Sequence, residues 1–266
     1  MKLNEKKINI LQDRNKRFLI TFIFLAIFTM GSSIITEFSF LDGFASFPKA
    51  FKWMFTNFAP DQQALTLLPN ILKKLFDTVM ISIAATVIAA MFAMIFALTG
   101  SRTTVSNIVV SGSVRLIASF FRNIPIVAWA MIFMFSFGHS MVTGFLAIFV
   151  ETFGFLVRTF IETIDETSSS SVDALKATGA THLQTIVHAV FPSVMPQVVS
   201  WILYMIESNI RSATLVGLLT GSGIGFLFDM YYKRMYYPSA AMVVLSIVLT
   251  VMTIEYISNN IRRIIQ

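Results

Sequence analysis

Six long apolar runs constrain the fold of this chain more than any other feature of its sequence. A helix needs about 20 mostly apolar residues to cross a bilayer, and these runs approach or exceed that length. The composition agrees, since 56% of the residues are hydrophobic and 13% are charged, unlike a soluble globular protein. The sequence therefore predicts an all-α polytopic membrane protein with about six transmembrane helices in a single domain, residues 1–266. The predicted spans are residues 18–35, 78–98, 116–137, 141–160, 194–218 and 240–257.

The distribution of lysine and arginine predicts the orientation of these spans. Six spans place both termini and the long loop, residues 161–191, on one side of the membrane. Twelve of the 20 Lys and Arg residues fall on that side, six fall on the other and two lie within spans. Cytoplasmic loops carry an excess of these residues, so the tail (residues 1–17), the long loop and the C-terminus are predicted to be cytoplasmic. The net charge of +6 then requires no nucleic acid as a partner.

The first span and the segment after it are interpreted from their flanking residues. A basic tail before an apolar run is also typical of a signal peptide. This run is long enough to span, lacks an A-x-A site and precedes several more spans, so it predicts a first transmembrane helix. Residues 37–77 mix aromatic residues with three prolines and four lysines. That mixture favours extracytoplasmic interfacial helices that lie flat on the outer surface.

A mixed polar segment between the fourth and fifth spans, residues 171–192, has a helical period. Its apolar residues recur at spacings of three and four, and Gly179 interrupts the pattern at a cost of about 1 kcal/mol relative to Ala. Two short helices with a turn at Gly179 therefore fit better than one rod. Pro192 stands where a helix tolerates a missing N–H group. The segment has the form of a docking element, and the alternative is an ordinary loop with one apolar face.

Catalytic and metal-binding patterns are weak. His182 and His188 are six residues apart, off one helical face, and His139 falls in a different loop. No arrangement of Ser, His and Asp indicates a triad. The segment 221–225 (GSGIG) is predicted to be a flexible outer turn, because no G-K-[ST] follows it. Without cysteine there is no disulfide or thiolate chemistry. We expect no catalytic residue, no metal site and no nucleotide site in this chain.

Charged side chains within the predicted spans are candidates for a transport path, because each costs at least about 2.5–3.5 kcal/mol on insertion scales. Glu207 and Arg211 are four residues apart and can pair on one helix face. They either neutralise each other as a structural pair or contribute to a polar path for an anion. The candidate path residues are Arg211, Glu207, Asn209, Ser212, Thr214 and Arg122. For Arg122, the alternative is an interfacial residue whose charge reaches the headgroups.

Two alternative classes of protein are a secondary transporter and an intramembrane enzyme. In a secondary transporter, Glu151, Glu207 and Arg211 would relay protons or ions. An intramembrane enzyme would need a nucleophile and a base at matching depth, and the sequence offers neither. ATP-dependent uptake with a purified partner would distinguish a secondary transporter from an ATP-driven one.

The spacing within residues 171–192 resembles the EAA loop (EAA, three residues, G, nine residues, IxLP) of permease subunits in ABC-type importers. Here Asp173-Ala174-Leu175 is followed by three residues, Gly179, nine residues and then AVFP, which ends at Pro192. Asp in place of Glu keeps the charge, while Leu in place of the second Ala adds bulk close to the partner. The resemblance implies that a separate ATPase couples through Asp173, Ala174, Leu175, Gly179, Ala180 and Pro192.

A narrower resemblance links the second half of the chain to phosphonate-type permeases. The stretch ESNIRSATLVGLLTGSGIGF, residues 207–226, is similar to their EINVRSATVLGLVGAGGIG, although Ser222 replaces one glycine. FRNIP, residues 121–125, resembles their RSIP motif. FIETIDE, residues 160–166, resembles the acidic approach to their EAA loop, and PSVMPQVVSWILY, residues 192–204, resembles their P-x-x-x-P entry to the next span.

The resemblance implies a type I ABC importer permease fold and import of a phosphonate or a related phosphorus oxyanion, such as phosphite, hypophosphite or a phosphate ester. It implies a location in the cell membrane, a second permease copy or paralogue, and an extracytoplasmic substrate-binding protein. Two ATPase subunits would bind ATP and Mg, whereas this chain would bind no cofactor and catalyse no reaction.

Overall fold

Every regular element in the described part of the chain is a helix. The computed structural model describes residues 2–105 and 107–265, with the side chains of all but residues 2–12, 41 and 169. A π-helical turn, Ile186–Val190, joins the ninth α-helix to the tenth. The helices are α1 (Lys2–Ile35), α2 (Phe40–Asn57), α3 (Gln62–Thr66), α4 (Leu68–Gly100), α5 (Ile108–Asn123), α6 (Ile126–Phe137), α7 (Met141–Thr167), α8 (Ser169–Ala177), α9 (His182–Thr185), α10 (Phe191–Thr220), α11 (Gly223–Lys233) and α12 (Tyr237–Ile265).

The number of membrane spans agrees with the sequence-based expectation. Among the described residues, five helical stretches are long and apolar enough to cross a membrane, and the bent pair α5–α6 brings the number to six if it counts as one span. The predicted all-α class with about six spans is confirmed. The five stretches are Asp13–Ile35, Leu68–Gly100, Met141–Thr167, His182–Thr220 and Tyr237–Ile265.

The third predicted span, residues 116–137, is not one continuous helix. It is divided between α5 and α6, whose axes differ in direction by 87°. The break falls at Ile124 and Pro125, which have extended backbone angles. A residue before proline is driven out of the α region by steric clash with the proline ring, so the helix ends there. The indole N–H of Trp129 donates to the carbonyl of Phe121 across the bend, at 3.4 Å.

The chain divides into two compact units, Met1–Asn57 and Phe58–Gln266. The first contains α1 and α2, and nearly all of its described side chains are exposed within it. The predicted interfacial segment, residues 37–77, comprises α2, α3 and the first turns of α4. Its position at an outer membrane surface stays a prediction, as does the grouping of residues 1–266 in a single transmembrane domain.

Helix α7 is the centre of the second unit, where it packs against α4, α5, α6 and α10. Ser140 caps its first turn by accepting a hydrogen bond from the N–H of Thr143. Small residues allow neighbouring helices to approach closely. A Cβ atom at Gly154 would lie 2.7 Å from the backbone nitrogen of Arg122 in α5, and one at Gly100 would lie 2.5 Å from the Ile161 side chain. The α7 surface is thus in close contact with both α4 and α5.

The glycine-rich segment at residues 221–225 is a turn only at Gly221 and Ser222, so the expectation of a turn over the whole segment is wrong, while its outer location stays a prediction. Gly221, with φ of 64°, ends α10, and α11 begins two residues later. A Cβ atom at Gly225 would collide with the carbonyl oxygen of Thr214, and one at Gly217 would lie 2.5 Å from the carbonyl oxygen of Ser222. These glycines allow α10 and α11 to pack backbone against backbone.

Candidate coupling segment and polar groups in the spans

The predicted pair of short helices with a turn at Gly179 is confirmed. Helix α8 ends in a Schellman motif: the N–H of Ala180 donates to the carbonyl of Leu175 and the N–H of Gly179 to that of Lys176. Gly179 has φ of +82°, a left-handed conformation that glycine adopts without the steric penalty of a Cβ atom. The turn between α8 and α9 therefore depends on glycine at this position.

The second half of the segment begins with a capping box. The hydroxyl of Thr181 accepts from the N–H of Gln184, whose side chain in turn accepts from the N–H of Thr181. The chain then continues through the π-helical turn into α10. Pro192 lies in the first turn of α10, directly after the π-helical turn, so its missing N–H group falls where the hydrogen-bond pattern changes from the π-helix to the α-helix.

One face of α8 is anchored and the other is exposed. Val172 is fully buried in the main hydrophobic core, and Leu175 packs against the same core. Asp173 and Ala174 are exposed, Gly179 is exposed and Ala180 is half-buried. The bulk that Leu175 adds to the EAA pattern therefore lies partly against the chain's own core. In α9, Leu183 is 71% exposed, an apolar side chain free to contact a partner.

A cluster of polar side chains, called the polar joint below, connects the end of α7 to the loop between α4 and α5 and to α5. It consists of Asp165, Ser101, Thr103 and Arg115. The carboxylate of Asp165 accepts from the hydroxyls of Ser101 and Thr103 and pairs with the guanidinium of Arg115 at 2.6 Å. Sequence reasoning named Asp165 only as part of an acidic approach to the EAA loop. Its partners lie 50 to 64 residues away along the chain, and no local pattern marks such a separation.

Asn209 is buried at the meeting point of three helices. Its side-chain amide donates to the hydroxyl of Thr86 in α4 and to that of Thr152 in α7, each at 2.8 Å. Only 1% of the residue is exposed. The structure thus places this candidate path residue inside the helix packing of the chain, where its described bonds join α4, α7 and α10.

Glu207 and Arg211 form the predicted ion pair, with 2.6 Å between Nη1 and Oε1. The two partners differ in burial, because the side chain of Glu207 is 11% exposed and that of Arg211 is 48% exposed. Arg211 and Thr214 line an apolar depression of about 350 Å³ with residues of α11 and α12. A half-exposed guanidinium beside apolar side chains retains donors that another group can reach.

The remaining candidate residues in the spans are more dispersed. Ser212 and Thr214 are half-buried in α10, and the Thr214 hydroxyl lies 3.5 Å from the carbonyl of Ile210. Arg122 is exposed at the end of α5, with its guanidinium carbon 5.9 Å from the ring centre of Phe155, a cation–π distance. Glu151 is half-buried in α7 and takes part in none of the four ion pairs found among the described residues.

The greater part of the chain matches a family of membrane transport proteins. Residues 97–266 match the family of binding-protein-dependent transport system inner membrane components, and this chain belongs to that family. It is therefore a multi-pass membrane permease.

Among curated relatives, the phosphite transport system permease protein PtxC of Stutzerimonas stutzeri is 31% identical over 192 residues, which cover 72% of this chain and 70% of the relative. The putative cryptic phosphonate transport system permease protein PhnE2 of Escherichia coli K12 is 36% identical over 119 residues, 44% of this chain and 97% of the relative. These matches confirm the resemblance to phosphonate-type permeases.

A solved structure supports the fold independently. A chain of the MetNI methionine ABC transporter, in an inward-facing conformation, superposes with a TM-score of 0.66 at 17% identity. The match covers 77% of this chain and 99% of that one. The type I ABC importer permease fold, predicted from the motifs, is confirmed.

Proposed function

We propose that this chain is the permease subunit of an ATP-driven ABC importer for a phosphonate or a related phosphorus oxyanion, such as phosphite, hypophosphite or a phosphate ester. The main support is the exposed helix–turn–helix formed by α8 and α9 on a family member whose relatives are named for phosphite and phosphonate transport. The permease provides the path through the membrane and catalyses no reaction.

Separate ATPase subunits bind ATP and Mg and contact the coupling segment through Asp173 and the exposed face of α9. An extracytoplasmic binding protein delivers the anion, and a second permease copy or a paralogue completes the path. The chain lies in the cell membrane with both termini and residues 161–191 in the cytoplasm and residues 37–77 outside. Its neighbours on the remaining surface are lipids, in keeping with the exposed apolar side chains of α1.

In this proposal Arg211 interacts with the anion in transit. A guanidinium stays charged and presents a planar fork of donors that matches two oxygens of a phosphonate or phosphite. Glu207 lies one turn earlier and is more deeply buried, so it holds the guanidinium while the path is empty. Both the half-exposed side chain of Arg211 and its short bond to Glu207 favour this arrangement.

Reconstitution tests the proposal. Proteoliposomes would contain this permease with its ATPase and binding protein, and uptake of radiolabelled phosphite and of a radiolabelled alkylphosphonate would be measured with and without internal ATP. We expect uptake that requires both ATP and the ATPase. Uptake driven by a proton or sodium gradient without the ATPase would instead establish the secondary transporter, and ATP-driven uptake of neither anion would refute the substrate class.

A further inference from the structure

The polar joint at the end of α7, defined as Asp165 with Ser101, Thr103 and Arg115, connects elements that are distant in sequence. One oxygen of the Asp165 carboxylate accepts from the Ser101 hydroxyl at 2.5 Å and from the N–H and hydroxyl of Thr103 at 3.2 and 3.1 Å. The other oxygen accepts from the Arg115 guanidinium at 2.6 Å. A single carboxylate therefore joins α7, the α4–α5 loop and α5.

The Arg115–Asp165 pair differs from the other ion pairs of the described residues. The other three join residues four apart on one helix, whereas this pair joins two helices. The two side chains are 25% and 26% exposed, so solvent screens the pair less than a surface pair. The nearby Arg158–Glu162 pair, with side chains 37% and 48% exposed, lies entirely within α7.

Arg115 also forms a hydrogen bond to the C-terminal end of α4. Its Nε atom donates to the carbonyl of Gly100 at 3.2 Å, and the hydroxyl of Ser111, one turn earlier in α5, donates to the same carbonyl at 2.6 Å. The last carbonyl groups of a helix lack intrahelical partners, so these bonds satisfy the end of α4 with side chains of α5. The tight contact between Gly100 and Ile161 adds van der Waals packing at the same level.

The joint is continuous with the coupling segment. Ser168 is fully buried between α7 and α8. Its hydroxyl donates to the carbonyl of Ile164, and its own carbonyl accepts from the N–H of Val172 in α8 at 2.9 Å. Asp173 and Lys176 of α8 line one polar depression of about 370 Å³ together with Arg102, Thr103 and Asp165. Helix α8 is thus bonded to the end of α7 at Ser168 and faces the residues of the joint across this depression.

We propose that Asp165 is a positioning residue for energy coupling: it makes the end of α7, the α4–α5 loop and α5 move as one body when the ATPase displaces α8. This inference rests on the proposed function, since it assumes an ATPase at the coupling segment. The effect of Asp165 reaches the membrane through α5, which leads to the bend before α6.

Thiol labelling on this cysteine-free chain measures the motion directly. Phe120 is 60% exposed on α5, and Phe120→Cys supplies one reporter thiol in each copy of this chain in the full complex. With Asp165 intact, we expect ATP to change the rate of labelling by about threefold or more. In Asp165→Asn and in Arg115→Gln we expect most of that change to be lost. The loss in the double variant should be smaller than the sum of the two single losses, because both changes remove the same ion pair.

Glu162→Gln is the matched control, because it removes an acid from the same helix and breaks an ion pair that joins no other element. It should keep the full ATP-dependent change. A residue with only a structural role would alter the amount of assembled complex and its unfolding temperature, but not the response of assembled complexes to ATP. Phosphite import per ATP hydrolysed is the second measurement, and it should fall about tenfold in Asp165→Asn.

A full ATP response in assembled Asp165→Asn complexes would refute the inference, and so would an equal loss in Glu162→Gln. If Asp165→Asn fails to assemble, Thr103→Val removes one donor to the carboxylate and leaves the ion pair, and an unchanged response in that variant contradicts the proposal. A chain with Asp165 intact that shows no ATP response would overturn the proposed function itself, and this inference with it.

Discussion

At the scale of single residues, polar side chains in the spans of this protein follow two different patterns. Asn209 is fully enclosed, and both of its donor bonds reach other helices. Arg211 is half-exposed, and its described bond is to Glu207 on its own helix. A group already satisfied between helices is suited to holding them together, whereas a group with accessible donors is suited to meeting a solute. The two residues are only two positions apart on α10, so they lie on different faces of the helix, one packed against other helices and one accessible.

Removing the Asn209 amide should destabilise the protein. Asn209→Ala loses two interhelical hydrogen bonds, each worth about 0.6 to 1.7 kcal/mol in membrane proteins. We expect a lower unfolding temperature in detergent, with uptake per assembled complex less affected than stability. Asn260→Ala is the control, since Asn260 is exposed on α12 and such changes are usually within about 0.5 kcal/mol of neutral. Equal unfolding temperatures for the two variants would contradict the interhelical role.

Exchanging Arg211 for lysine tests the anion path. Arg211→Lys keeps the positive charge but loses the planar fork, so we expect assembly and basal ATP hydrolysis to remain and uptake of radiolabelled phosphonate to fall about tenfold. Arg158→Lys is the control, because Arg158 also pairs with a glutamate four residues away, at a site outside the proposed path. Near-normal uptake by Arg211→Lys would remove Arg211 from the path and leave a structural pair.

At the scale of helices, the turn between α8 and α9 in the coupling segment depends on one glycine, Gly179. Gly179 has no neighbouring side chain within 4 Å of a built Cβ atom, so space does not require glycine there. The requirement comes from the backbone angle alone. The bulk of a substituted side chain would therefore point into open space, and its effect would arise from the changed direction of the chain between α8 and α9.

The loss of transport on substitution of Gly179 should increase with the energetic cost of the left-handed conformation for the new residue. Gly179→Asn should be tolerated, since asparagine enters this region readily, whereas Gly179→Val places a β-branched residue where it is a steric outlier. We expect Gly179→Val to abolish uptake and substrate-stimulated ATP hydrolysis while the chain remains inserted. Gly112→Ala, at a glycine of α5 with open space around it, should leave transport unchanged. Normal co-purification with the ATPase and normal transport by Gly179→Val would contradict the docking role.

Features that are set by residues close together in the sequence were predicted correctly, whereas features that depend on residues far apart in the sequence were not. The turn at Gly179 and the first turn of α10 at Pro192 are set by neighbouring residues, and both were predictable. Pro125 was visible within the third span, but the direction that the chain takes after it depends on packing against α7. Gly225 belongs to a glycine-rich stretch that is typical of a loop, and it is the backbone of α10, above all the carbonyl of Thr214, that requires glycine there. Asp165 was missed because its partners lie more than 49 residues away.

At the scale of the whole molecule, the orientation in the membrane is the most direct property to measure. Lys233→Cys should be labelled by an impermeant thiol reagent in intact cells, because Lys233 is exposed beyond the fifth span. Ser170→Cys and Asn260→Cys should be labelled only after the membrane is opened. The same topology places Ser106 inside, at a position outside the described residues. Labelling of position 170 in intact cells would overturn the orientation with both termini in the cytoplasm.

The bend between α5 and α6 has a consequence for the direction of motion. A straight span that is pushed along its axis slides through the bilayer and keeps its lateral position. Because the axes of α5 and α6 differ by 87°, a shift along α5 is almost perpendicular to α6 and carries it sideways. Tight packing transmits strain with little loss, and α7 lies against both helices. A shift along α5 would thus displace α6 almost at right angles to its own axis.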